Sequence, residues 1–245
     1  MNTIRILLYK ILGLKTYLKL VSLTFIKLVK AGFLKKQYPE LFHLHKIIKP
    51  GFTCIDIGAN LGYYSVKLSE IVGENGKVYA VEPIPMFNEI WKSNVKFSKN
   101  KNLELLPYAL GENEQIVQMG IPIRAGVLHH GMTKIVDTGK ENYIKYFDVE
   151  MKNPDKLFFD LPRLDFIKCD IEGYEHVVFS NITKTLTKFK PIIQSELGGQ
   201  ENRQKVINTL KNIGYVPKLL AKGELVDVSA NDILTKDQDF YFLPI

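Results

Sequence analysis

The sequence predicts an α/β domain with a mostly parallel, doubly wound sheet, preceded by a short run of helices. Three observations predict it. From Phe52 onward, short apolar runs alternate with helix-length amphipathic segments; this is the pattern of right-handed βαβ units. A glycine-containing loop, Asp56-Ile57-Gly58-Ala59-Asn60-Leu61-Gly62, lies between the first such run and the first such helix. The chain closes on two apolar runs, one starting at Tyr215 and one at Asp239–Leu243, which read as an antiparallel hairpin. With 245 residues, 46% of them apolar and 24% charged, there is material for a sizeable core and no sign of wholesale disorder.

At the N-terminus, Ile4, Leu7, Leu8, Ile11 and Leu12 recur at helical spacing, so residues 3–12 form an amphipathic helix that Gly13 breaks. A second helix covers 14–31. A third, Pro39–Ile48, opens with proline, which the first helical turn tolerates. Pro50-Gly51 then punctuates the chain. Residues 1–50 thus form a basic helical arm and 51–245 the domain, although the charge itself is confined to 1–39. Arg5, Lys10, Lys15, Lys19, Lys27, Lys30, Lys35 and Lys36 meet no acid there, whereas the whole chain carries only +7. The domain itself is near neutral, which argues against a nucleic-acid partner and points the arm to an anionic surface or acidic partner. Two readings of the arm stand open: it caps the sheet with solvated lysines, or it lies on a membrane or reaches a lipid-linked acceptor. The longest charge-free stretch in it, Leu20–Ile26, is too short to span a bilayer, and no small-residue cleavage site follows it.

The domain continues with a strand at Phe52–Ile57, a helix at Gly62–Ile71 and a turn at Gly73–Gly76. A strand at Lys77–Val81 follows, then a helix at Pro85–Phe97 and a strand at Leu103–Leu110. Residues 111–160 break the rhythm with two glycine turns, a His129-His130 pair and short strands; they read as an insertion on the acceptor side of the active site. Leu164–Cys169 resumes as a buried strand, with a helix after Gly173. Pro191–Glu196 is the next strand, Glu201–Ile213 a helix, and a strand of about four residues starts after Gly214. Cys54 and Cys169 sit inside apolar runs without metal-ligand spacing; they read as buried core residues in a reducing, cytoplasmic compartment.

The loop carries the functional argument. A dinucleotide fingerprint needs glycines at 58, 60 and 63, but the residues are Gly58, Asn60 and Tyr63. A pyrophosphate on this turn is therefore disfavoured, and Asp56 weighs against any phosphate. Asp56 suits a ligand with a cationic amino group and no phosphate, as S-adenosyl-L-methionine has. Glu82, in Val81-Glu82-Pro83, ends the second strand, where a carboxylate accepts hydrogen bonds from both ribose hydroxyls of an adenosine. Of Tyr63 and Tyr64, one lines the cofactor pocket and the other is core.

These residues, with Tyr108-Ala109-Leu110-Gly111, Ile167-Lys168-Cys169-Asp170-Ile171-Glu172-Gly173-Tyr174-Glu175, Lys190–Glu196 and Phe240–Pro244, resemble the FkbM family of class I S-adenosylmethionine-dependent methyltransferases. The resemblance covers roughly 45–245. It implies a Rossmann-like, seven-stranded sheet whose last strand is antiparallel. It also implies that Gly58 and the Ala59–Leu61 backbone contact the methionine portion of the donor and that Glu82 holds the ribose. Pro83 and Tyr108-Ala109 would flank the adenine, and Asp170 would lie near the methionine amino group or the acceptor. Asp56, Asn60, Gly62 and Tyr63 complete the expected cofactor-binding set.

An activated sulfonium donor leaves the protein mainly to position the acceptor and to supply a base for a hydroxyl proton. The candidates are Asp170, Glu172, Glu196 and His130. The three carboxylates could instead hold a Mg²⁺ that binds the acceptor. Lys168 shares a face with Asp170 and should pair with a carboxylate, because a lone buried lysine is costly. The expected activity is O-methylation of a hydroxyl on a sugar, glycolipid, polysaccharide or secondary metabolite, an acceptor class resting on the resemblance alone. The competing expectation is a non-catalytic S-adenosylmethionine-binding module, tethered by its arm to a membrane or partner. The arm would then lie at the inner face of a membrane. Oligomeric state is not encoded in any motif read here.

Overall fold

The structure, a computed structural model, describes residues 2–124, 127–128, 133–136 and 143–245. Helix α1 (Asn2–Lys30) is interrupted at Gly13, whose φ of 71° no other residue type adopts readily. Helix α2 (Pro39–Ile47) has proline in its first turn. The domain follows as β1 (Thr53–Ile57), α3 (Tyr63–Val72), β2 (Lys77–Val81), α4 (Pro85–Asn94) and β3 (Leu103–Leu106). The expected strand 103–110 is two strands, because Pro107 lacks an N–H and ends the ladder. β4 (Ala109–Leu110) already belongs to a second sheet with β5 (Gln115–Arg124), β6 (Val127–Leu128), β7 (Lys134–Ile135) and β8 (Tyr143–Lys152). β5 and β8 are ten residues each, so the segment is a long antiparallel pair rather than a set of short strands.

After α5 (Pro154–Phe158) the main sheet resumes with β9 (Phe166–Cys169), α6 (Glu175–Ser180), α7 (Thr183–Phe189), β10 (Ile192–Leu197) and α8 (Gln200–Asn212). It ends with β11 (Tyr215–Ala221), β12 (Glu224–Asp227), α9 (Ala230–Thr235) and β13 (Gln238–Pro244). The strand order is β12-β11-β13-β10-β9-β1-β2-β3. The antiparallel pairing expected of the two terminal runs is present, as β11 with β13, but β12 and α9 intervene, so the two are not joined as a hairpin. β11 turns into β12 through Lys222 and Gly223, both at positive φ as a two-residue hairpin requires. β13 instead inserts between β10 and β11, antiparallel to both. The sheet therefore has eight strands, one more than the resemblance implied, with the last strand antiparallel as expected.

Strand parity assigns the two faces. Ile55, Ile57, Ile167, Cys169, Ile193, Phe240 and Phe242 join one core with α6, α7 and α8. Cys54, Val78 and Phe166 point the other way, onto α2, α3 and the end of α1. That second face is not uniformly apolar. In register across neighbouring strands it carries Asp56 beside Lys168, Lys168 beside Gln194, and Gln194 beside Tyr241. Both faces of a parallel sheet are normally apolar, so this polar row marks the site side.

Arg203 on α8 is 2% exposed and pins the C-terminal elements. Its guanidinium donates to the carbonyls of Leu197, Ile233, Leu234 and Lys236 and to the Asp237 carboxylate. Truncating it orphans several buried carbonyls. Arg203→Ala should therefore lower unfolding stability in urea by about 3 kcal/mol, the scale for breaking a buried charged network.

Candidate active site

The site forms where the strand order reverses. The chain lays down β1, β2 and β3 outward, then returns to place β9 on the other side of β1. The loops after β1 and β9 thus meet at the carboxyl ends, the ligand position of an open α/β sheet. The Asp170 N–H donates to the Ile57 carbonyl at 3.0 Å. A Cβ on Gly58 would sit 1.9 Å from the Asp170 carbonyl oxygen. Gly58 is thus required by the chain's own closure, at φ 79°, as well as by any ligand. The loop is tied to β2 by Gly58 and Ala59, whose N–H groups both donate to Val81 O at 3.0 Å.

Glu82 is 4% exposed, and its two oxygens accept the N–H groups of Asn60 (2.9 Å) and Ile84 (2.8 Å). Burial pushes its carboxyl up to about 7; the two backbone donors oppose this, and the Asp56 charge adds to it. A carboxylate has about four acceptor sites, so capacity remains for ribose hydroxyls. Asn60 sits at φ 47°, and its buried Oδ1 has no partner. These groups border a cavity of about 520 Å³ with Gly58, Pro83, Tyr108, Ala109 and Asp170. Phe87 and, from the insertion, Met119 and Thr133–Val136 also line it.

A second cavity of about 400 Å³ shares Gly58, Asn60, Asp170 and Glu172 with the first. It lies over the polar row. Asp56 is 2% exposed, is raised by burial to about 6, and accepts from Ser65 Oγ at 2.5 Å; the Trp91 indole in turn donates to Ser65 Oγ. Lys168 is fully buried and pairs with Asp239 at 3.0 Å and Asp170 at 3.7 Å, above the Tyr64 ring. Burial alone would lower its pKa, but Asp239 and Asp170 outweigh it and hold the ammonium well above the usual lysine range. Glu196 is pushed up to about 7, first by the Asp170 charge and then by burial. Glu172 takes φ 57° beside Gly173. That loop is held by Glu175, 1% exposed, which accepts the N–H groups of Ile171 and Gly173.

The two cavities sort the expected residues. Glu82, Pro83, Tyr108 and Ala109 border the first; Asp56, Ala59, Tyr63 and Glu196 border the second; Gly58, Asn60, Asp170 and Glu172 border both. Gly62 borders neither. It caps α3 at φ 90°, and a Cβ there would meet the Trp91 ring at 2.9 Å. Tyr63 and Tyr64 both border the second cavity, rather than one facing ligand and one the core. His129 and His130 lie outside the described residues. Among the described residues no three His, Cys, Asp or Glu side chains converge as metal ligands, so Asp170, Glu172 and Glu196 do not fit a Mg²⁺ site. Sequence reasoning missed Phe25, Tyr38, Glu40 and Leu41, which precede the domain, and Asp239, which opens β13. Only Asp239 had a readable signal, since strand parity puts it on the face of Tyr241.

Comparison with known proteins matches residues 56–217 to the Methyltransferase FkbM domain. A protein-L-isoaspartate O-methyltransferase of Methanococcoides burtonii is 36% identical over 59 residues, which is 24% of this chain and 29% of that protein. The chain thus spans under a third of that curated relative. A Clostridium thermocellum structure described as an rRNA-methylase shares 11% identity at TM-score 0.50, covering 84% of this chain and 94% of that one. The methyltransferase FkbM of Methylobacillus flagellatus shares 16% identity at TM-score 0.47, covering 81% and 49%.

Glu82 gives a signed pH expectation. Between its ordinary 4.5 and about 7, the folded chain holds a proton that the unfolded chain has released. Stability therefore falls as pH rises through that window. The Tm of the ligand-free protein should decline on the order of 5 °C or more across it, and Glu82→Gln should reduce the decline, leaving the part that Asp56 and Glu196 contribute in the same direction. The same variant should weaken S-adenosylhomocysteine binding by about 1–3 kcal/mol in calorimetry.

Proposed function

The chain belongs to the FkbM methyltransferase family, and from that premise we propose that it moves the methyl group of S-adenosylmethionine onto a hydroxyl oxygen of a sugar, glycolipid, polysaccharide or other secondary metabolite. One observation carries the reading. The cavity holding Glu82 shares four lining residues with a second cavity that holds a carboxyl near neutral pKa, Glu196. The first cavity suits an adenosine: Glu82 offers the ribose an acceptor, and Pro83, Tyr108 and Ala109 give the base an apolar slot. The second suits the acceptor. The donor supplies an activated methyl on sulfur; the O–CH₃ bond forms as the S–CH₃ bond breaks, sulfur keeps the electron pair, and the hydroxyl proton goes to a carboxylate.

Glu196 takes that proton. A base works best with a pKa near the operating pH, and Asp170 and burial together put Glu196 there. Lys168 holds Asp170 and Asp239 in place by charge without itself reaching a neutral form. Glu175 fixes the loop that presents Asp170 and Glu172.

The rate should rise with pH through about 7 as Glu196 ionises. Glu196→Gln should lose that limb and about 10²–10⁴ in kcat, with S-adenosylhomocysteine binding retained. Transfer of labelled methyl across a panel of hydroxyl compounds tests the activity. Binding of S-adenosylhomocysteine without transfer to any member would instead favour the non-catalytic module.

A second reading concerns the arm. Ile11, Leu20, Leu28 and Phe33 are exposed, and Lys19, Lys27, Lys35 and Lys36 lie exposed among them. Lys15 and Lys30 are tied down to Glu89 and Glu70 on the domain. No helix of the described residues is long and apolar enough to cross a membrane. A mixed lysine and apolar face of this kind fits the surface of an anionic bilayer. The triple variant Ile11→Asp, Leu20→Asp, Phe33→Asp should lose most sedimentation with phosphatidylserine vesicles; unchanged sedimentation ends the idea.

A further inference from the structure

The near-neutral sum of the domain conceals a local excess of positive charge. From Ile84 to Asn102 the chain holds Lys92, Lys96, Lys99 and Lys101 and a single acid, Glu89. This stretch is α4, the helical turn Val95–Phe97 and the approach to β3. α1 lies alongside it and is fastened to it at three levels. Lys15 pairs with Glu89, the Asn94 amide donates to Ser22 Oγ at 2.8 Å, and the Lys30 ammonium donates to the Phe97 carbonyl at 2.6 Å. Glu89 is thereby taken up by Lys15, and Glu70 on α3 by Lys30. α1 itself contains no acid.

Helical spacing sets what this pair of helices shows to solvent. Lys15, Ser22 and Lys30 mark the side of α1 that meets α4. Lys19, Leu23 and Lys27 recur every four residues on the next stripe round, and both lysines are exposed. Lys92 and Lys96 recur at the same spacing and are exposed, as are Lys99 and Lys101. Among the described residues no ion pair reaches any of these six lysines. They repel one another, and an anionic layer laid over them relieves that repulsion. Leu20 and Phe97 stand exposed among them, at 50% and 42%. Apolar side chains between lysines suit the headgroup boundary of a bilayer, which takes up both. A nucleic acid fits less well: no arginine occurs from Leu14 to Asn102, so the face lacks the residue that grips phosphates and base edges in pairs of hydrogen bonds.

We propose that α1 and the end of α4 form one lipid-facing surface, in which Lys92, Lys96, Lys99, Lys101 and Phe97 of the domain bind an anionic bilayer beside the arm. This rests on the arm reading above and adds the domain to it. α4 crosses from the carboxyl end of β2 to the amino end of β3, so Lys96–Lys101 lie at the amino ends of the parallel strands. Both cavities lie at the carboxyl ends. Bilayer contact therefore leaves them open.

The test is sedimentation of the full chain with vesicles of phosphatidylcholine alone and of an equal mixture with phosphatidylserine. The chain should sediment with the mixture only. Lys96→Gln, Lys99→Gln and Lys101→Gln combined should weaken that binding about a hundredfold, at about fivefold per lysine near an anionic surface. S-adenosylhomocysteine affinity, the control for folding, should be the same in this variant and in the presence of vesicles. Wild-type sedimentation by the lysine variant, while the arm variant Ile11→Asp, Leu20→Asp, Phe33→Asp is released, overturns the inference and leaves the arm reading intact. Vesicles that block S-adenosylhomocysteine binding overturn the placement of the surface away from the cavities. Lysine-dependent binding of poly(U) RNA that vesicles fail to compete assigns the face to nucleic acid and overturns the inference. No sedimentation of the wild type with the mixture overturns both readings.

Discussion

The Asp170 N–H donates to the Ile57 carbonyl, and the Asp170 carbonyl packs where a Cβ on residue 58 would be. This contact joins the ends of two strands that are neighbours in space but more than a hundred residues apart in sequence. It fixes Gly58 at positive φ, which in turn aims the Asn60 N–H at Glu82. It also places Asp170 where the two cavities meet. The loop glycine thus serves the chain first. A ligand takes advantage of backbone that is already held close.

A second constraint runs across the sheet. Lys168 is buried at the centre of a parallel sheet, where an unpaired ammonium would cost several kcal/mol. It is kept charged by Asp239 on β13 and Asp170 after β9, and by the Tyr64 ring beneath it. Asp239 reaches it because β13 runs antiparallel between β10 and β11, which brings the start of that strand beside Glu196 at the end of β10. The antiparallel strand therefore does more than close the sheet: it delivers an acid to the carboxyl ends of the parallel strands. Without that inversion, the start of β13 would lie at the far edge. The polar row Asp56–Lys168–Gln194–Tyr241 is the consequence. α1 and α2 cover it with aromatic side chains and enclose a space instead of packing it solid.

Most of the main sheet was legible in the sequence because its signals are local. A strand needs a short apolar run, a crossover helix needs a 3.6-residue period, and a turn needs Gly or Pro at its ends. Element bounds from Thr53 to Val81 moved by at most a residue or so. The misread pieces are those where a neighbour decided the outcome. β12 is mostly exposed and pairs only with β11, so no alternation announced it. Pro107 split one apolar run between two sheets. Gly62 reads as a ligand-facing glycine, yet the ring of Trp91, on the next helix α4, is what excludes a side chain there.

The sequence by itself determined the α/β class, the loop after the first strand and the strand-end Glu82, since each depends on residue types at fixed short spacing. It also determined that Lys168 and Asp170 share a face, because a strand has a period of two. Only the tertiary structure decided which distant segments meet at those strand ends. Phe25, Tyr38 and Glu40 precede the first strand, and Asp239 opens the last one, so no spacing rule relates them to Asp170. Their meeting follows from burial of the α1 and α2 apolar faces on the sheet and from the order in which its strands pair. The Glu82 edge of the first cavity could be read because one loop and one strand end build it. The second cavity could not, because long-range packing builds it.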